Sequence, residues 1–323
     1  MQMTYLEAIR QGIQEEMERD PDVFLLGEDI GIYGGAFKIT AGLIEQFGEK
    51  RVMDTPISES AIVGAAIGAS LMGLRPVAEM QFADFITCGY DQIVIFAAKC
   101  RYRWGAAVPM VIRAPSGGGI HGGPFHSQNP EAWFVHTPGL KVVAPSSASD
   151  AKGLIKSAIR DNDPVLYFEH KALYRRVKED IPGGDFTVPI GKAAIVREGR
   201  DLTIVTYGAM VHVAREAAGT LEKEGVSAEI VDLRTLAPLD EDTVLGSVRK
   251  TSKVLLLHED TLTGGIGGEL AARISEKVFE YLDGPIVRVA APDSPVPYSL
   301  PLEEAFLPNA AKVVERALWL ARY

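Results

Sequence analysis

Short runs of Val, Ile and Leu, separated by helix-length segments, constrain this chain more than any other feature of its sequence. VFLL begins at Val23, PVAEM at Pro76, PMVI at Pro109, LKVV at Leu140 and PVLYF at Pro164. That rhythm predicts a mostly parallel α/β sheet, because parallel neighbours need long crossovers and helices supply them. The spacing predicts helices over Ser58–Met72, about Asp84–Arg103 and about Ser149–Arg160. A second cycle follows, with LTIVTYG from Leu202, AEIVDL from Ala228, KVLLL from Lys253, PIVRV from Pro285 and a helical pattern over Met210–Glu224. Between the cycles, IPGGDFTVPIG (Ile181–Gly191) combines Pro and Gly as exposed linkers do. The expected fold is therefore α/β in two domains, 1–185 and 186–323.

A chain of 323 residues with 47% apolar and 24% charged side chains can bury a core in each domain. A net charge of -10, with no Lys/Arg run, argues against a nucleic-acid partner. The longest nearly apolar stretch, Ala61–Leu74, holds three glycines and a serine and is too short for a bilayer, so no membrane span is expected. The first twenty residues lack a basic leader and place Leu6, Ile9, Ile13 and Met17 on one helical face, so they are expected to belong to the fold. Cys88 and Cys100 have neither CxxC spacing nor histidine companions, which fits a reducing, cytoplasmic compartment better than a zinc site.

Three stretches carry possible chemistry. In DTPISES (Asp54–Ser60) a strand ends and a helix begins, with Ser58 as its N-cap and Glu59 in its first turn. A first-turn acid complements the helix dipole by about 0.3 to 1 kcal/mol. It also lies beyond the carboxyl end of a parallel strand, where open α/β sheets place ligands, and the two readings are compatible. The loop Ser116–His136 holds His121, His126 and His136 among many glycines. Its length suits a working loop, although the glycines could equally serve only to turn the chain. TGGIGG (Thr263–Gly268) imitates a dinucleotide fingerprint but lacks the third required glycine, so NAD is not expected. Neither a GxxxxGK[ST] phosphate loop nor a GxSxG elbow occurs.

Taken in order along the chain, GEDIG (Gly27–Gly31), YGGAFKIT (Tyr33–Thr40), DTPISES, GLRPVAEMQFADF (Gly73–Phe85), DQIVIFAAK (Asp91–Lys99) and PGLKVVAP (Pro138–Pro145) resemble the β subunits of 2-oxo acid dehydrogenases. The first half is similar to the pyrimidine-binding domain of thiamine diphosphate enzymes. The second half, with TYGAMVHVAREAAGTLEKEG and DLRTLAPLDEDTV, is similar to the transketolase-type C-terminal domain. The family binds magnesium through a GDG motif, which this chain lacks. The resemblance thus implies an α subunit that supplies the magnesium and diphosphate ligands, in a heterotetramer of two α and two β subunits. It also implies a lipoyl acyltransferase core that receives the acyl group.

By the same resemblance, Glu59 corresponds to the carboxylate that bonds the pyrimidine nitrogen of the cofactor and promotes its imino tautomer. His126, in HSQ, matches a histidine near the reacting carbon that assists acyl transfer. Ile57, Gln81 and Phe85 match positions around the aminopyrimidine and the substrate pocket, although Ile57 and Phe85 could also be ordinary core. Backbone carbonyls at Ala158, Asp161 and Asp163 are implied to hold a monovalent cation such as potassium. The loop HGGPFHSQNPEAWF looks closer to branched-chain members than to pyruvate members, while Phe85 stands where several branched-chain relatives carry tyrosine. The expected activity is oxidative decarboxylation of branched-chain 2-oxo acids, with a pyruvate or acetoin-cleaving enzyme as the alternative.

Overall fold

In the computed structural model, which describes residues 2–323, the chain forms two units: 2–116 with 133–190, and 117–132 with 191–323. In the first unit a parallel sheet runs in the order Lys141–Val143, Val165–His170, Val111–Ser116, Arg75–Glu79, Val23–Gly27, Val52–Asp54. The five expected apolar runs form the first five of these strands, which are almost wholly buried, as parallel strands packed on both faces are. Helix Tyr5–Arg19 buries the expected stripe of Leu6, Ile9, Ile13 and Met17 and starts in a Thr4–Glu7 capping box. It packs on helix Ala148–Arg160.

The helical stretch expected near Asp84–Arg103 is present over 83–104, but not as one regular α-helix. A 3-10 helix over Ala83–Gly89 leads to a π turn at Gln92–Phe96, a 3-10 turn at Ala97–Lys99 and a short α-helix at Cys100–Trp104. Three consecutive β-branched residues, Ile93, Val94 and Ile95, weaken helical continuity there. Close packing fixes the first piece against helix Glu59–Leu71. A Cβ on Gly89 would lie 2.9 Å from Val63 Cγ2 and 3.3 Å from the Glu59 carbonyl oxygen.

At the centre of this sheet Arg113, only 1% exposed, forms ion pairs with Glu79 and, at 2.6 Å, with Glu169. Tyr174 donates its hydroxyl to Glu169 at 3.1 Å. The flanking carboxylates outweigh the desolvation of the guanidinium and hold it charged.

The second unit has the sheet order Val287–Ala291, Val254–Thr261, Leu202–Thr206, Ala228–Asp232, Ala194–Arg197. All pairs are parallel except the last, where Ala194–Arg197 runs antiparallel at the edge. Helices Met210–Lys223 and Ala310–Ala321 cover the core of Leu202, Ile204, Ile230, Leu255 and Val313. The glycines of TGGIGG make room for a side chain. A Cβ on Gly265 would lie 2.5 Å from His258 Cε1, and one on Gly267 would lie 2.6 Å from Nε2. Burial pushes the His258 imidazole down to about 4, so it sits in this glycine cradle uncharged at neutral pH. Among the described residues no helix is long and apolar enough to cross a membrane.

Candidate active site

Strand Val23–Gly27 lies between Val52–Asp54, which follows it in the chain, and Arg75–Glu79, which comes next. The chain therefore reverses direction across the sheet at this strand, and the crevice beyond the carboxyl ends at such a point is where open α/β sheets bind ligands. Three segments converge there: Glu28–Asp29, Asp54–Glu59 and Met80–Phe85. Gly31 donates its N–H to Asp54 at 2.6 Å, and Thr55 donates to the Gly27 carbonyl at 2.9 Å, which ties the first two together.

Glu59 is the first residue of helix Glu59–Leu71 and is half-buried. Ser58 takes the N-cap position and its carbonyl accepts the Ile62 N–H at 2.9 Å, but its hydroxyl makes no capping bond. Its own N–H is instead directed at the carboxylate of Glu28. Glu28 is 6% exposed, and among the described residues its Oε1 has no hydrogen-bond partner. Burial first, then the nearby charges of Glu59 and Asp29, push the Glu28 carboxyl above the usual carboxylate range, against the pull of the Ser58 N–H. The charged groups acting on this buried acid are thus themselves acids.

Gln81 donates its side-chain amide to Asp29 at 3.4 Å. Phe85 packs edge-on against Phe82, with ring centroids 5.8 Å apart. Ile57 is 83% exposed at the turn before Glu59, so it is not core in this chain. Ile57 and Glu59 therefore leave one of the two strands that flank Val23–Gly27, and Gln81 and Phe85 leave the other. Glu28 escaped the sequence reading, although an acid directly after the run VFLLG was the available signal.

The glycine-rich stretch divides between units. His121 and His126 belong to the second and the exposed His136 to the first. In the second unit Gly117 donates its N–H to the Gln128 carbonyl at 3.0 Å, closing the loop. His126, half-buried, follows a 3-10 turn at Gly123–Phe125. A Cβ on Gly122 would stand 2.9 Å from both His126 Cβ and Ser127 Oγ, so only glycine lets the chain fold back over the histidine. A pocket of about 610 Å³ is lined by Phe125 and Gln128 of this loop and by Thr261, Thr263 and Asp293, without His126. Two buried acids that sequence reasoning missed, Glu259 and Glu303, bond the loop from outside it.

Around Ala158, Asp161 and Asp163 the polar groups already face cationic side chains. The Asp161 carbonyl accepts Arg75 Nη2 at 2.5 Å, the Asp161 carboxylate accepts Lys141 Nζ at 2.6 and 2.7 Å, and Asp163 pairs with Arg101. The Ala158 carbonyl accepts the Asp161 N–H at 3.3 Å. Among the described residues there is no cluster of three or more His, Cys, Asp or Glu side chains placed to hold a metal ion.

Residues 1–177 match the transketolase pyrimidine binding domain, and residues 191–313 match the transketolase C-terminal domain. The chain is 54% identical to 2-oxoisovalerate dehydrogenase subunit beta of Bacillus subtilis, over 99% of both chains. It is 46% identical to the pyruvate dehydrogenase E1 component subunit beta of the same organism, over 98% of both. Among solved structures, a split-gene transketolase described as an inactive beta4 tetramer superposes with a TM-score of 0.82 at 24% identity, covering 99% of this chain and 98% of that one. A transketolase from Pichia stipitis superposes with a TM-score of 0.73 at 15% identity over 99% of this chain and 46% of its own, which speaks for the fold alone. On both its domains and its full-length relatives, the chain belongs to the transketolase-type thiamine diphosphate enzymes, among the β subunits of the 2-oxo acid dehydrogenases.

Proposed function

We propose that this chain is the β subunit of a branched-chain 2-oxo acid dehydrogenase, which with an α subunit decarboxylates the acid and passes its acyl group to a lipoyl group. The acidic corner at the strand switch carries the reading. Glu28 and Glu59 lie there with the Gln81 amide nearby, and the charges acting on Glu28 are acidic. Such a corner suits a nitrogen heterocycle with an exocyclic amine, and it repels a diphosphate. It fits the pyrimidine end of thiamine diphosphate and leaves the magnesium and diphosphate ligands to the α subunit, as the missing GDG motif implies.

When bound, the cofactor supplies the carbon nucleophile and the electron sink that loss of carbon dioxide requires. Glu59 shares a proton with the ring nitrogen. Gln81 orients the ring by hydrogen bonding, while Ile57 and Phe85 form apolar walls that exclude water. His126 holds or donates a proton while the acyl group moves to its acceptor. Residues 1–185 serve as the pyrimidine-binding domain and 186–323 as the C-terminal domain. The exposed Tyr102 and Trp104, beside a surface pocket that also includes Ile95 and Lys99, support a partner subunit on the first unit. A heterotetramer of two α and two β subunits, a lipoyl acyltransferase core and a cytoplasmic location complete the reading. The monovalent cation belongs to it only through family resemblance, because Arg75 already occupies the Asp161 carbonyl; no step depends on that ion.

Branched-chain acids are favoured over pyruvate because identity to the 2-oxoisovalerate relative is 54%, against 46% to the pyruvate relative. The test is kcat/KM of the enzyme assembled with its α subunit. Turnover of 3-methyl-2-oxobutanoate and 4-methyl-2-oxopentanoate should exceed that of pyruvate by about 10- to 200-fold, the range that extra methyl groups confer in an apolar pocket. A higher value for pyruvate would move the assignment to the pyruvate alternative.

A further inference from the structure

Two carboxylates from distant parts of the chain tie down the loop that carries His126. Glu259, on strand Val254–Thr261, accepts the Gly118 N–H at 2.6 Å and the Asn129 side-chain amide at 3.0 Å. Glu303, on helix Leu300–Phe306, accepts the Gly119 N–H at 2.9 Å and the His121 N–H at 3.2 Å, and its Oε2 lies 2.6 Å from His121 Nδ1. The acids are 6% and 1% exposed. A carboxylate so buried is costly unless hydrogen bonds answer its charge, and here one loop supplies them to both acids.

Three successive glycines, Gly117 to Gly119, give this loop little preference for one shape, so bonds from outside must select it. Gly118 is matched to those bonds. A Cβ there would stand 3.2 Å from Glu303 Oε1, tighter than an ordinary contact, and 3.5 Å from Glu259 Oε1, so both acids reach the glycine backbone closely. Their partners flank His126 in sequence, with Gly118, Gly119 and His121 before it and Asn129 after it.

We infer that Glu259 and Glu303 are positioning residues for acyl transfer, which fix His126 by holding the loop on both sides of it. The inference rests on the role given to His126 above. Neither acid needs to touch substrate, since each acts through loop amides.

The test is a cycle in the enzyme assembled with its α subunit: parent, Glu303→Ala, His126→Ala and the double variant. Glu303→Ala should speed amide hydrogen exchange over residues 117–122 by about tenfold or more. It should lower kcat for acyl transfer to a lipoyl acceptor by about 10- to 100-fold, the usual cost of a small misplacement, with KM for the 2-oxo acid little changed. Glu303→Gln should recover part of the rate, because one oxygen still accepts. In the His126→Ala background Glu303→Ala should cost nothing further. Gly118→Ala, whose Cβ would make Glu303 Oε1 give by a few tenths of an ångström, should move both readouts in the same direction by a smaller amount if the first variant folds poorly. Unaltered exchange, or an equal loss of rate with and without His126, overturns the inference alone. A fully active His126→Ala overturns the role of His126 and the inference with it.

Discussion

Glu79 and Glu28 sit at the ends of adjacent strands and are about equally buried, 5% and 6% exposed, yet only Glu79 faces a cation. Glu79 and Glu169 flank Arg113, so the charges at the centre of the sheet are answered within the fold. Glu28 has one bare oxygen and two acids, Glu59 and Asp29, acting on it. A buried charge that is paired is part of the architecture. An acid left among acids takes a proton or waits for an incoming group that carries one.

The comparison breaks most sharply at Glu59. Glu59→Gln keeps the shape but cannot share a proton with the pyrimidine nitrogen, so kcat should fall by about 100- to 10,000-fold at saturating cofactor. Assembly and stability should barely change, because a lost first-turn charge costs less than about 1 kcal/mol. A decarboxylation rate within a few-fold of the parent would reduce Glu59 to a helix-dipole residue.

At the paired centre the effect falls on stability instead. Arg113→Met strands two buried carboxylates and should destabilise the chain by about 3 to 5 kcal/mol in denaturant unfolding. Adding Glu79→Gln and Glu169→Gln to that variant should recover much of the loss. A single variant within about 1 kcal/mol of the parent would show that the triad is not charged as described.

The smallest effect concerns Glu28 and carries a sign. Its folded-state pKa is raised, so its cost is absent in acid, where folded and unfolded forms are both protonated. The cost sets in as pH climbs through the ordinary carboxylate range and is complete above the raised value. Glu28→Gln should therefore raise Tm by about 1 to 2 °C near pH 8 and leave it unchanged near pH 4. A lower Tm at the alkaline end would mean that Glu28 has a cation the structure does not place beside it.

The strands were legible because runs such as VFLL and PVAEM are nearly all apolar, and buried parallel strands must be so. The helix stripe Leu6, Ile9, Ile13 and Met17 was legible for the same reason, since burial on one face sets the period. Antiparallel Ala194–Arg197 was not, because half-buried edge strands lack that signal. The stretch expected as a helix over Asp84–Arg103 is helical throughout, but its change of type around the β-branched run Ile93–Ile95 and the close packing of Gly89 on Val63 do not show in the apolar pattern. At the site, DTPISES and the histidine loop stood out by composition, whereas Glu28 is marked only by following VFLLG, and Glu259 and Glu303 sit in ordinary contexts. GEDIG, LLHED and PLEEAF do not announce which acid will be buried, since that depends on partners elsewhere in the fold. TGGIGG is the opposite case: a conspicuous motif, set aside as a dinucleotide fingerprint, in which Gly265 and Gly267 leave space for His258.

The distant origin of the loop's anchors also orders events in time. Glu259 and Glu303 lie 141 and 184 residues beyond their partners Gly118 and Gly119. At the usual pace of synthesis, about 5 to 20 residues per second, the His126 loop leaves the ribosome roughly 10 to 40 seconds before the last acid that shapes it. Contacts so remote in sequence close late, after local helices and neighbouring strands have formed. The loop that carries His126 can therefore be completed only after Glu303 has been made. A nascent chain stopped short of Glu303 would carry every residue placed around the cofactor ring, and still lack the finished loop for acyl transfer.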